Sequence, residues 1–219
     1  MRIGILGGTF NPIHFGHLRS AEEVRIVQKL DRILFIPSAS PPHKRGPEVV
    51  TAEHRLAMVR LAIRGNPAFR LSRIELARTG HSYSIDTLHA LRRRHPQARF
   101  SFIMGLDTFL EIGTWRRYLE LFALCDLIVT SRPSFDLEDA PERLPVAARG
   151  EFCYLPKANV LEHLSGHRIL FQTITDLSIS ATAVRALLRR HQSVRYLVPP
   201  AVDRYIARHQ LYARRNASS

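Results

Sequence analysis

The sequence predicts an α/β fold: a doubly wound parallel sheet with helices on both faces and a helical segment toward the C-terminal end. Strand-like apolar runs recur along the chain with helical patterns between them, as in sheets built from crossover units. A glycine-rich turn joins the first run to the first helical pattern. The 219 residues, 45% of them hydrophobic, are enough for one full core with room for an insertion.

Residues 3–6 form the first strand, and residues 18–30 place apolar side chains at helical spacing. Residues 33–36 are the second strand, ended by Pro37. Pro41-Pro42-His43-Lys44 is a loop, because paired prolines exclude helix and central strand. Residues 51–63 are helical with Thr51 as N-cap, 69–76 are extended and 84–94 are helical. Residues 100–104 form a strand ending at Gly105. Another covers 127–129 and ends near Arg132-Pro133, and the last covers 169–174. Helices follow over 181–190 and 201–209. Residues 133–166, with prolines, an acidic patch (Asp136, Glu138, Asp139) and weak periodicity, read as a surface excursion of a single domain spanning 1–212. Residues 213–219 read as a frayed tail.

The net charge of +13 admits two functional classes, a nucleic-acid binder and an enzyme for phosphorylated small molecules. Arg92, Arg93 and Arg94 end a helix, where cations complement the dipole. No basic stripe interleaved with aromatics is present to stack bases, so solvated charge and phosphate attraction are favoured and no nucleic-acid partner is expected. No apolar run approaches the roughly 18 residues of a membrane span, and no leader precedes the first strand, so a cytoplasmic protein without a membrane partner is expected. Cys125 and Cys153, both in apolar surroundings, read as buried free thiols. Monomer and homo-oligomer are equally compatible with the sequence.

The chemistry concentrates in Gly7-Gly8-Thr9-Phe10-Asn11-Pro12-Ile13-His14-Phe15-Gly16-His17. Glycines let backbone N–H groups approach a ligand, and the helix start adds partial positive charge. His14 and His17 share a helix face and supply donors for a moving negative charge. The string is neither a dinucleotide fingerprint nor a Walker A loop. A second anion site is offered by Ile179-Ser180-Ala181-Thr182-Ala183-Val184-Arg185. There Ser180 is a natural N-cap, the Ser180 and Thr182 hydroxyls flank the helix start, and Arg185 lies one turn on. Both sites would face the crevice at the C-terminal ends of the strands.

Together these strings resemble the H-x-G-H nucleotidyltransferase superfamily, which implies a Rossmann-like sheet. With Pro41-Pro42-His43-Lys44, His81-Ser82-Tyr83-Ser84, and Gly105-Leu106-Asp107 with Thr114-Trp115, the chain is similar to the nicotinate-nucleotide adenylyltransferase family over nearly its whole length. The resemblance implies transfer of the adenylyl group of ATP to nicotinate mononucleotide. It implies that Gly7, Gly8, Thr9 and Phe10, with His14 and His17, hold the ATP phosphates, and that Ile179, Ser180, Thr182 and Arg185 bind them from the other side. Gly105 and Asp107 match contacts to nucleotide sugar. Tyr83, Ser84 and Trp115 match the pyridine pocket, and His43, Lys44 and Arg132 match positions near the mononucleotide phosphate. Ser84 stands where the family usually has threonine, and Arg116 where an aromatic is frequent; its cation would favour nicotinate over nicotinamide. Mg²⁺ is expected to arrive with ATP, since the sequence offers no carboxylate cage for a resident metal. Pantetheine-phosphate adenylyltransferases resemble only the two ends of the chain. Cytidylyltransferases normally carry a different second anion string.

Overall fold

The computed structural model describes residues 1–39, 49–78, 80–131, 141–158 and 160–213. Eight strands make one sheet: β1 (Arg2–Gly8), β2 (Arg32–Pro37), β3 (Phe69–Leu71), β4 (Arg99–Gly105), β5 (Asp126–Ser131), β6 (Phe152–Leu155), β7 (Val160–His163) and β8 (Arg168–Thr173), in the spatial order β3-β2-β1-β4-β5-β8-β7-β6. From β3 through β8 every neighbouring pair is parallel; Ile5 of β1, for instance, pairs with Leu34 on one side and Phe102 on the other. The helices are α1 (Phe15–Val27), α2 (Ala52–Ile63), α3 (Ser84–Arg94), α4 (Leu106–Leu110), α5 (Tyr118–Leu124), α6 (Ala181–Arg189) and α7 (Pro200–Arg208).

Alternation along the strands splits the core into two layers. Ile5, Phe102, Leu127 and Val129 point to one face with α3 and α5, while Ile33, Phe35, Ile103 and Ile128 point to the other with α1, α2, α6 and α7. Gly4 is required inside this core, because a Cβ there would come within 2.6 Å of the Ile33 side chain. The chain winds outward from β1 to β3, then crosses to β4 and continues on the other side. The connections leaving β1 and β4 therefore part in opposite directions and open a crevice between them.

Several expectations are corrected. The first helix starts at Phe15 and ends at Val27, about three residues earlier than the apolar spacing predicts. His14 takes the N-cap position, usually filled by Ser, Thr, Asp or Asn, and its N–H donates to Nδ1 of His17 at 3.3 Å, the part that Glu or Gln usually plays three residues into a helix. The extended stretch 69–76 is a strand only over Phe69–Leu71, with a turn after it. The surface excursion contains regular structure: β6 and β7 form an antiparallel hairpin, and β7 adds antiparallel to β8. Phe152 anchors the hairpin through edge-on contacts with Phe122 and His163, at 5.1 and 5.0 Å between centroids. On β6, Phe152 and Tyr154 turn toward the core, so Cys153 between them is exposed; only Cys125 is buried as expected.

Candidate functional site

The glycine-rich string from Gly7 to His17 lies where β1 runs into α1. Phe10, at φ +48°, turns the chain; its buried ring packs edge-on to His17 at 5.2 Å between centroids. The His14 and His17 rings stack 3.7 Å apart. Because His17 Nδ1 accepts the His14 amide proton, the neutral His17 ring carries its hydrogen on Nε2, which makes that atom a donor. His14 is 6% exposed, and its Nδ1 is buried without a hydrogen-bond partner. Burial lowers its pKa to about 4, so the ring is neutral near pH 7. At that pH the ring is uncharged and is not a fixed cation.

The second string follows β8 and enters α6. Ser180 is the N-cap, its Oγ accepting the Ala183 N–H at 3.1 Å, which leaves the hydroxyl hydrogen able to donate outward. Arg185 Nη1 donates to the Asn11 carbonyl at 2.9 Å, and Nη2 to Thr182 Oγ1 at 3.3 Å. Gly16 closes the join from the other side: a Cβ there would sit 3.6 Å from the Ile179 carbonyl and 3.0 Å from His14 Nδ1. His14, Gly16 and His17 share a cleft of about 240 Å³ with Gly105 and Ile179, at the C-terminal ends of β1 and β4. Asp107 is exposed in the first turn of α4, two residues beyond Gly105.

The remaining residues gather around the start of α3. Tyr83 is the N-cap and Ser84 the first residue of that helix, with the Arg116 guanidinium 4.8 Å above the Tyr83 ring. Trp115 is half-buried and edge-on to Phe102 at 5.9 Å between centroids. The tip of the same Phe102 ring lies 3.6 Å from where a Gly7 Cβ would be, so one aromatic ring underlies both groups. His43, Lys44 and Arg132 lie outside the described residues.

Arg55 and the side-chain bracing of Asn11 are not legible as site features in the sequence. Arg55 belongs to the buried stripe of α2 with Leu56, Met58, Val59 and Ile63, and its guanidinium reaches the Thr9 carbonyl at 2.8 Å. A cation in an apolar row at helical spacing was the available signal. The Asn11 side chain is held by the Val50 N–H at 3.2 Å and the Tyr212 hydroxyl at 2.9 Å, contacts that no local pattern encodes.

The cytidylyltransferase-like family model matches residues 5–187. Proteins of Pelobacter propionicus and Geobacter sulfurreducens, each named probable nicotinate-nucleotide adenylyltransferase, are 50% identical to this chain over 213 residues, covering 97% of it and 99% of each relative. The chain belongs to the nicotinate-nucleotide adenylyltransferase family. Among solved structures, the Plasmodium falciparum nicotinic acid mononucleotide adenylyltransferase complexed with NaAD superposes with a TM-score of 0.74 at 19% identity, covering 96% of this chain and 97% of that one. The same Plasmodium protein complexed with APC gives a TM-score of 0.71 at 18% identity, covering 96% of each chain. These two similarities carry the fold. In this family member, no group of three or more His, Cys, Asp or Glu among the described residues is placed to hold a metal ion. Nor is any helix among them long and apolar enough to cross a membrane.

Proposed function

We propose that this chain is a nicotinate-nucleotide adenylyltransferase acting as one unit over residues 1–212. It transfers the adenylyl group of ATP to nicotinate mononucleotide, forming nicotinate adenine dinucleotide and pyrophosphate for NAD biosynthesis in the cytoplasm. The observation that carries the reading is the Arg185–Asn11 hydrogen bond. It draws the second anion string onto the loop that leads into His14 and His17, beside a cleft at the strand crossover. Membership of the family supplies the substrate class.

An oxygen of the mononucleotide phosphate attacks the α-phosphorus of ATP, and the bond to the β-phosphate bridging oxygen breaks. Such in-line displacement needs alignment and charge neutralisation, and the ionised nucleophile needs no strong base. His17 Nε2–H donates to an α-phosphate oxygen as charge builds. His14 and Arg185 meet the β- and γ-phosphates, helped by the Ser180 and Thr182 hydroxyls and by backbone N–H groups from Gly7 to Phe10 and at the start of α6. Mg²⁺ enters as part of the ATP substrate and offsets phosphate charge. Gly105 and Asp107 contact nucleotide sugar. Tyr83, Ser84 and Trp115 receive the pyridine ring, with Arg116 facing its carboxylate, and His43, Lys44 and Arg132 hold the mononucleotide phosphate.

The test is pyrophosphate release from ATP and Mg²⁺ with a panel of acceptors: nicotinate mononucleotide, nicotinamide mononucleotide and phosphopantetheine. Release is expected with nicotinate mononucleotide, and more slowly with the nicotinamide form. Release with phosphopantetheine and not with a pyridine mononucleotide would overturn the assignment.

A further inference from the structure

Arg55 is 1% exposed, and its guanidinium donates to a set of converging backbone carbonyls. Nη1 donates to Thr9 in the triphosphate string at 2.8 Å, Nη2 to Ser38 at 2.7 Å, and Nε to Val50 at 3.2 Å. Burying a guanidinium is costly, and carbonyl dipoles compensate for it only when several converge.

The Ser38 carbonyl belongs to the same planar peptide group as the Ala39 N–H, and in a trans peptide the two point in opposite directions. That N–H donates to Ser82 Oγ at 3.1 Å. The carboxylate of Glu75, 9% exposed, hydrogen-bonds the Ser82 side chain, shares the Ala39 N–H with it, and accepts from Thr87 Oγ1 at 2.8 Å. One peptide group is thus gripped at both edges. Arg55 ties its oxygen to Thr9, and Ser82, adjacent to Tyr83 and Ser84, holds its N–H with the Glu75 carboxylate behind it. The Ser38 N–H adds a bond to the Gly8 carbonyl at 2.9 Å.

We infer that Arg55 and Ser82 are positioning residues that set the spacing between the triphosphate loop and the pyridine loop, with the Ser38–Ala39 peptide group as the strut between them. The inference rests on the two-substrate function proposed above. Neither side chain is assigned a substrate contact. A shared strut has a signature: loosening it on the pyridine side also degrades ATP binding.

Initial rates over a grid of ATP and nicotinate mononucleotide concentrations test this, using the full chain well below its unfolding temperature. Ser82→Ala is expected to raise both KM values roughly 3- to 10-fold, the size of one lost hydrogen bond, with kcat nearly unchanged. Ser82→Thr, which keeps the hydroxyl, restores both. The pair Arg55→Lys and Ser82→Ala is expected to be no worse than Arg55→Lys alone, because both loosen one strut. A Ser82→Ala variant with unchanged ATP KM, or effects that multiply in the double variant, overturns the strut. If Arg55→Lys does not fold, the ATP KM of Ser82→Ala decides alone. Absence of turnover in the unaltered chain overturns the functional reading and the strut together, a distinct result.

Discussion

Arg185 donates to the carbonyl of Asn11 at 2.9 Å across 174 residues of sequence. A planar guanidinium makes this bond while also reaching Thr182, so the second string's cation is oriented by the first string's backbone. Arg185→Lys keeps the charge and loses that fork. It is expected to lower kcat/KM for ATP by about 10²-fold, near the loss of one preorganised donor. Steady-state pyrophosphate release checks this, and an activity within a few-fold of the unaltered chain would remove Arg185 from the phosphate site.

With Nδ1 of His17 occupied by the His14 amide, the neutral ring has Nε2–H as its free donor, the group proposed above to meet the α-phosphate. His17→Ala should reduce kcat by roughly 10²–10³-fold at saturating ATP. An undiminished kcat would mean that the developing charge is met elsewhere.

A methyl at position 16 would press on the His14 ring at 3.0 Å. Glycine to alanine in a helix ordinarily stabilises by up to about 1 kcal/mol. Gly16→Ala is expected to forgo that gain and to raise the ATP KM, because the imidazole must move. Thermal unfolding and kinetics on the same sample separate the two effects. A more stable variant with unchanged KM would contradict the contact.

His14 makes stability depend on acidity. Its folded pKa of about 4 lies below the ordinary value of 6.5 because burial disfavours the charged ring. Between these values the unfolded chain binds the extra proton, so stability rises with pH across that window and falls on acidification. The shift corresponds to at most about 3 kcal/mol by pH 4. Urea unfolding from pH 4.5 to 7.5 should show a shallower slope for His14→Asn than for the unaltered chain. Parallel slopes would place the titration on other groups.

Arg116 stacks over Tyr83 and places a cation beside the group proposed to receive the pyridine ring. Arg116→Gln is expected to reduce the preference for nicotinate over nicotinamide mononucleotide about tenfold, chiefly through the nicotinate KM, as one exposed charge contact is lost. An unaltered ratio would assign carboxylate selection to backbone N–H groups.

Much of this architecture was readable because residue type and position agreed. The Ile179–Arg185 string announced a capped helix start, and Ser180 does cap α6 through Ala183. The helix expected over 84–94 is α3 as found, since its apolar face and terminal arginines both fit. The start of the first helix is not legible, because histidine seldom caps and spacing alone cannot locate a start. The β6–β7 hairpin was missed because four-residue strands at a sheet edge carry too few buried positions to show a period. Arg55 gives no sequence signal of its role beyond its place in an apolar row, because a charge there reads as surface and the carbonyls it meets lie far away in sequence.

The Tyr212 hydroxyl bonded to the Asn11 side chain spans 201 residues. During synthesis the N-terminal segment leaves the ribosome first, yet it cannot acquire this bond, or that of Arg185, until nearly all of the polypeptide has been translated. A nascent chain can lay down β1 through β5 while the loop between β1 and α1 still lacks both braces. Competence to bind nucleotide is therefore among the last properties this molecule gains, and a prematurely terminated product would be left with a sheet but no finished site.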